Sequence, residues 1–171
     1  MSNRVLLAFL LILSARLSAQ TTHTPVEEAM KTYLSLKENL VASDSVNAAS
    51  NAKLLSEAIG KLRIKKANAL MLDTLSNVRN EAMEIAKNIS ETQSIKVQRK
   101  SLAALSVKCW YWLQHQPQPA FTIFEQRCPM TGEVWLSSEE TIKNPYYPRN
   151  MLTCGEVINQ TGEAKAPRTL L

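Results

Sequence analysis

Signatures of catalysis are missing from this chain. It has no His-Glu-x-x-His, no Gly-x-Ser-x-Gly, no phosphate-binding loop and no Cys-x-x-Cys pair, which removes the metalloprotease, serine-hydrolase, nucleotide-hydrolase and thioredoxin-like readings. The adjacent Glu139 and Glu140 would point apart on a strand and suit a turn better than paired acid and base work. The expectation is therefore a protein that is not an enzyme. A nucleic-acid partner is also disfavoured: Arg63-Ile64-Lys65-Lys66 is the one basic cluster, it lacks interleaved aromatics, and it reads as a solvated helix end. The apolar run Val5 to Leu13 covers about nine residues against the roughly twenty that a membrane-spanning helix needs.

That short run instead has the makings of a secretory signal. Arg4 supplies the positive region and Leu17-Ser18-Ala19 the small-residue cleavage site, so residues 1–19 are expected to be removed and residues 20–171 to form a single domain. No cysteine lies near the cleavage point to carry a bacterial lipid anchor. The mature protein is expected to be soluble and extracytoplasmic, with no stable membrane insertion after cleavage. Losing Arg4 and Arg16 lowers the net charge from +5 to +3, a mild excess. A chain of this size buries roughly 70% of its unfolded surface and does not need disulfides to fold.

Residues 24–115 carry four amphipathic patterns and predict a mainly α protein: a four-helix up-and-down bundle, followed by a small antiparallel β-containing unit. Thr24, Pro25 and Glu27 form a helix start with cap, first-turn proline and capping box. Val26, Met30, Tyr33, Leu34, Leu40 and Val41 then share one stripe, with Lys31, Lys37 and Glu38 outside it. Ser43-Asp44-Ser45 breaks the run and can cap a second helix, whose buried side is read as Val46, Ala49, Leu55, Ala58, Ile59 and Leu62. Leu72, Leu75, Val78, Ala82, Ile85 and Ile89 define a third. Ser90-Glu91-Thr92-Gln93 reads as a capping box for a fourth, with Ile95, Leu102, Leu105, Cys109 and Trp112 on its apolar face. Met30, Met71 and Met83 are expected as core filling, and His115 as a helix-end residue rather than a ligand. His23 is expected in an exposed loop.

Pro117 and Pro119 end the helical half. Phe121, Ile123 and Phe124, then residues 133–137, then Leu152 with Val157 and Ile158 predict short strands within residues 120–158, with Thr131-Gly132 in a hairpin connection and residues 159–171 as a tail. Trp135, Tyr146 and Tyr147 are expected to cover the junction with the bundle. The same unit holds the chain's most specific chemistry: Cys128, Met130, Met151 and Cys154. Thiolates and thioethers suit Cu(I) or Ag(I), whereas structural zinc wants four Cys or His ligands. Three cysteines leave at least one thiol without an intramolecular partner, and Cys109, at core spacing in a helix, is the expected one. A Cys128–Cys154 disulfide competes with the metal reading; closing that loop would stabilise the fold by about 3 kcal/mol. It would make the protein a structural or protein-interaction domain.

Tyr33-Leu34-Ser35-Leu36-Lys37-Glu38-Asn39-Leu40, Gln98-Arg99, Cys128-Pro129-Met130, Trp135-Leu136, Asn144-Pro145-Tyr146-Tyr147 and Met151-Leu152-Thr153-Cys154-Gly155 together resemble the bacterial domain of unknown function 3347. That family occurs as stand-alone exported proteins and as domains appended to periplasmic adaptors of copper- and silver-efflux pumps. The resemblance implies a periplasmic, metal-associated module without enzymatic activity, with components of a metal-efflux system as partners and with Cys128, Met130, Met151 and Cys154 as its presumed ligands. Two positions depart from the family pattern: Pro148 stands where Gly is usual after Asn-Pro-Tyr-Tyr, and Thr131 where Ala is usual after Cys-Pro-Met. Intact-mass measurement on protein from the native host is expected to show a chain beginning near residue 20 with no acyl addition; a retained amino terminus or an added lipid mass contradicts the export reading.

Overall fold

In the computed structural model, which describes residues 24–65 and 67–162, Thr24 starts the first helix as its sequence demands. Its hydroxyl accepts the Glu27 N–H at 3.3 Å, the Glu27 carboxylate accepts the Thr24 N–H at 3.0 Å, and Pro25 takes the first helical position of α1 (Pro25–Val41). Ser43, with φ 60°, turns the chain, and Asp44 caps α2 (Ser45–Gly60) by accepting the Asn47 N–H at 3.0 Å. Asn68 caps α3 (Ala69–Ser90) in the same way through Met71.

The start of α4 (Ile95–His115) differs from expectation. Ser90 closes α3 instead of opening α4, its hydroxyl donating to the Lys87 carbonyl at 2.6 Å. Ser94 then precedes α4 without a side-chain cap, and its N–H goes to the Thr92 hydroxyl at 3.1 Å. The serine and threonine read as a cap therefore build the turn between two helices. At the other end α4 stops at His115, ahead of Pro117 and Pro119.

The helices pack in sequence, α1 on α2, α2 on α3 and α3 on α4, around a core that includes Leu36, Leu40, Leu55, Ile59, Leu75, Ile89, Leu102 and Leu105. Among the described residues no helix is long and apolar enough to cross a membrane. Three stripe assignments need correction. Val46 and Leu72 are exposed near helix starts, where the neighbouring helices no longer cover them, and Ala48 and Ala52 carry the α2 contact instead. Lys37 is buried and paired with Glu38, and the loop following the second strand brings the Glu139 carboxylate near enough to interact with its charge. A helix considered alone cannot reveal that burial. Arg63 and Lys65 are exposed in the connection just past α2, while Lys66, the signal segment, His23 and the tail from residue 163 lie outside the described residues.

Beyond the bundle, β1 (Phe124–Arg127) is the centre of a three-stranded antiparallel sheet, flanked by β2 (Val134–Ser137) and β3 (Glu156–Gln160). Its pairing with β3 shifts between Glu125 and Gln126, where Glu125 faces Asn159 but Gln126 faces Val157. Phe121 and Ile123 precede β1 rather than lying in it, Leu152 sits in a turn, and β3 runs two residues past the expected end of the unit. Ile123 is still fully buried, and its N–H and C=O both pair with Thr161 at 2.8 Å.

Tyr33 joins sheet to bundle. The Leu136 N–H of β2 donates to its hydroxyl at 3.2 Å, and that hydroxyl lies 2.6 Å from Ser106 Oγ on α4. Ser106 donates in turn to the Leu102 carbonyl at 2.7 Å. Since a carbonyl only accepts, the protons run one way, from Leu136 through Tyr33 and Ser106 to Leu102. Burial keeps the phenol protonated by pushing its pKa far up. Replacing Tyr33 with Phe strands the buried Leu136 N–H, and urea titration is expected to show a loss of about 1–3 kcal/mol.

Candidate functional site

Cys128 follows β1 directly and opens the six-residue connection to β2. Its N–H donates to the Glu133 carbonyl at 2.9 Å and its carbonyl accepts the Gly132 N–H at 2.8 Å. Gly132 supplies the left-handed backbone this closure needs, with φ 75°. The result is a tight loop folded around the Cys128 sulfur. Pro129 has no N–H to give, but the N–H groups of Met130 and Thr131 and the Asn144 side-chain amide lie close enough to that sulfur to favour its anion, beside the Thr131 hydroxyl, which itself donates to the Glu133 carboxylate at 3.0 Å. Burial opposes the thiolate here, yet these donors outweigh it and hold Cys128 below its ordinary value. Thr131, one of the two departures from the family pattern, thus adds a hydroxyl beside the sulfur that alanine lacks.

Asn144 assembles the rest. It is fully buried; its Oδ1 accepts the N–H groups of Tyr146 at 2.9 Å and Tyr147 at 3.3 Å, and its Nδ2 donates to the Cys154 carbonyl at 3.0 Å as well as to Cys128. Its own N–H reaches the Leu152 carbonyl at 2.8 Å. One side chain therefore ties the Cys128 loop, the Asn-Pro-Tyr-Tyr segment and the Cys154 segment together. Within the last of these, Met151 N–H bonds the Tyr147 carbonyl and Cys154 N–H bonds the Met151 carbonyl, which winds residues 147–154 into consecutive turns. The other departure, Pro148, brings no strain: positive φ occurs among the described residues only at Ser43, Gly132 and Gly162.

Gly155 fixes where these turns end. A Cβ there would lie 2.8 Å from both the Trp135 ring and the Ile142 side chain, so the backbone passes in contact with the sheet's buried face. Trp135 is itself held, donating to Gln126 Oε1 at 2.6 Å and meeting Tyr146 edge to face at 5.9 Å. Gln126 completes the anchorage by donating to the Glu139 and Glu140 carbonyls, which places those two glutamates in a turn. Trp135 and Tyr146 cover the junction as expected, while Tyr147 is 39% exposed.

Cys128 and Cys154 come within hydrogen-bonding reach of each other, and burial, followed by the neighbouring Cys128, pushes the Cys154 thiol up. All three cysteines are free thiols. Met130 contributes its backbone to the Cys128 sulfur but its side chain is 72% exposed, and Met151 is half-buried three residues before Cys154. No group of three or more His, Cys, Asp or Glu gathers among the described residues, so a zinc-type ligand set is not formed there. Cys109 is a core thiol, buried and pushed up to about 12. The His115 ring stacks on Tyr111 at 4.2 Å, with Nδ1 2.8 Å from the Tyr111 carbonyl, which gives it a helix-end role. Asn144 escaped the sequence reading as a working part; its place in Asn144-Pro145-Tyr146-Tyr147 was the available signal.

Removing the Asn144 amide tests this geometry. A folded-state value below the ordinary 9.0 means that Cys128 ionisation adds stability, in full above 9.0, and that this contribution is lost as pH falls through the lowered value. In Asn144→Ala the Cys128 thiolate is expected to form at higher pH, read by ultraviolet thiolate absorbance, and the same pH-linked stability is expected to shrink.

No curated protein and no solved structure matches the chain. A protein-family comparison does match, over residues 29–116, from the first turns of α1 to the residue after α4, and it stops before the sulfur-bearing loops. With half of the chain so matched, the protein belongs to the family described as protein of unknown function (DUF3347).

Proposed function

We propose that this protein is an exported, non-catalytic carrier or buffer of soft monovalent cations, Cu(I) or Ag(I), serving periplasmic metal efflux or homeostasis. The observation that carries the reading is the pair of adjacent thiols, Cys128 and Cys154, with the inner sulfur flanked by the N–H groups of Met130 and Thr131 and the Asn144 amide. The chemistry of the donors fits such a cargo: two thiols, and thioethers two and three residues from them in the chain, are soft ligands, and the N–H groups beside Cys128 favour the anion that a metal requires. Cys128 and Cys154 supply the strong bonds, with Met130 and Met151 as weaker ligands. Asn144 and Thr131 orient the inner sulfur, the role that supporting residues play around a metal. The metal is cargo, and components of a metal-efflux system are its proposed partners.

The adjacent free thiols also favour a second reading, an interaction domain stapled by a Cys128–Cys154 disulfide. Titration of Cu(I) against a chromophoric chelator, run on reduced and oxidised protein with thiol counting, separates the two. Reduced protein is expected to take up one Cu(I) per chain and oxidised protein to lose high-affinity binding. Cys128→Ser or Cys154→Ser should cost more than the roughly 10–100-fold in affinity expected for loss of a supporting residue such as Asn144. Replacing Cys109 or His115 with Ala should leave the stoichiometry unchanged. Failure of reduced protein to compete for Cu(I), or equal competition by the double cysteine variant, sinks the carrier reading and leaves the stapled domain.

A further inference from the structure

The four sulfurs differ in access to solvent. Cys128 has no exposed surface, Cys154 and Met151 are partly covered, and Met130 is 72% exposed. Met30 is buried and Met71 and Met83 pack against the bundle core, so Met130 is the outlier among the described methionines. Burying it would gain roughly 1.5–3 kcal/mol, which a thioether left in water forgoes. Its placement is also fixed at the near end, because its own backbone N–H donates to the Cys128 sulfur. Three rotatable bonds then give the thioether a short, free arm anchored at the inner ligand.

We infer that Met130 is the capture ligand of the site: it takes a soft cation from solution or from a donor protein and passes it inward to Cys154 and Cys128, setting the rate of loading more than the final affinity. This rests on the carrier reading above. A neutral thioether binds the cation without losing a proton, whereas the two thiols must each lose one and are the more covered sulfurs. The donor's ligand leaves as the Met130 sulfur bonds the metal. Cys154 and then Cys128 bond the metal as each thiol proton passes to water, and the Met130 sulfur remains as a weak ligand. The metal stays monovalent throughout.

Stopped-flow transfer of Cu(I) from its complex with a chromophoric chelator reads the step directly. Met130→Leu, at an exposed position that does not support the core, is expected to slow transfer by about tenfold, while the equilibrium constant from the same chelator falls by only about threefold, the loss of one weak ligand. Met130→His, which restores a neutral soft donor near neutral pH, should recover most of the rate. An unchanged rate in Met130→Leu, no recovery with His, or an affinity that falls as much as the rate overturns the inference. Wild-type protein that takes no Cu(I) at equilibrium overturns the carrier reading instead, so the two failures are told apart.

Discussion

One phenolic oxygen decides how the two halves of this protein meet. Tyr33 sits in α1 with no exposed surface, so its hydroxyl must be satisfied by protein. It is satisfied by one group from α4 and one from β2, and that fixes the height at which the sheet rests on the bundle. Trp135 follows Val134 in β2 and lies under Gly155, so the position of the Cys154 segment inherits the same reference point. The hydroxyl of Tyr146 adds a second pin on β2 through the Val134 carbonyl.

Much of the helical half was legible because its determinants are local. Thr24, Asp44 and the Pro117 and Pro119 stop act on residues within a few positions, and the leucine and alanine periodicity needs no knowledge of the partner helix. Lys37 shows where that logic ends. It is buried, with the charge of a loop about a hundred residues later in the chain nearby, and a helical wheel places it outside. Ser90 and Thr92 fail for a related reason, since a serine or threonine between two helices can close one or open the next, and only the chain direction after it decides.

In the site, chemistry was more legible than geometry. The four sulfurs stand out by type, and the adjacency of Cys128 and Cys154 is the arrangement their segments implied. What could not be read was the agent of that adjacency. Asn144 works through bonds to residues 10 and 16 positions away, and asparagine in a loop ordinarily signals a turn. Thr131 is similar: its N–H and hydroxyl sit beside a sulfur three residues back. The family match ends before both, so kinship of the bundle and chemistry of the loops are separate properties of the chain.

The two outer strands of the sheet face different surroundings, which limits how the molecule can associate. Along β2, Tyr33 and Tyr146 occupy backbone groups and the helices α1 and α4 lie alongside. Along β3, nothing among the described residues pairs with the outer edge. In the language of polymer chemistry such a sheet is a monofunctional unit: β3 of one chain can join β3 of another about a two-fold axis, after which no reactive end is left, so edge pairing terminates at the dimer and cannot propagate into a fibre.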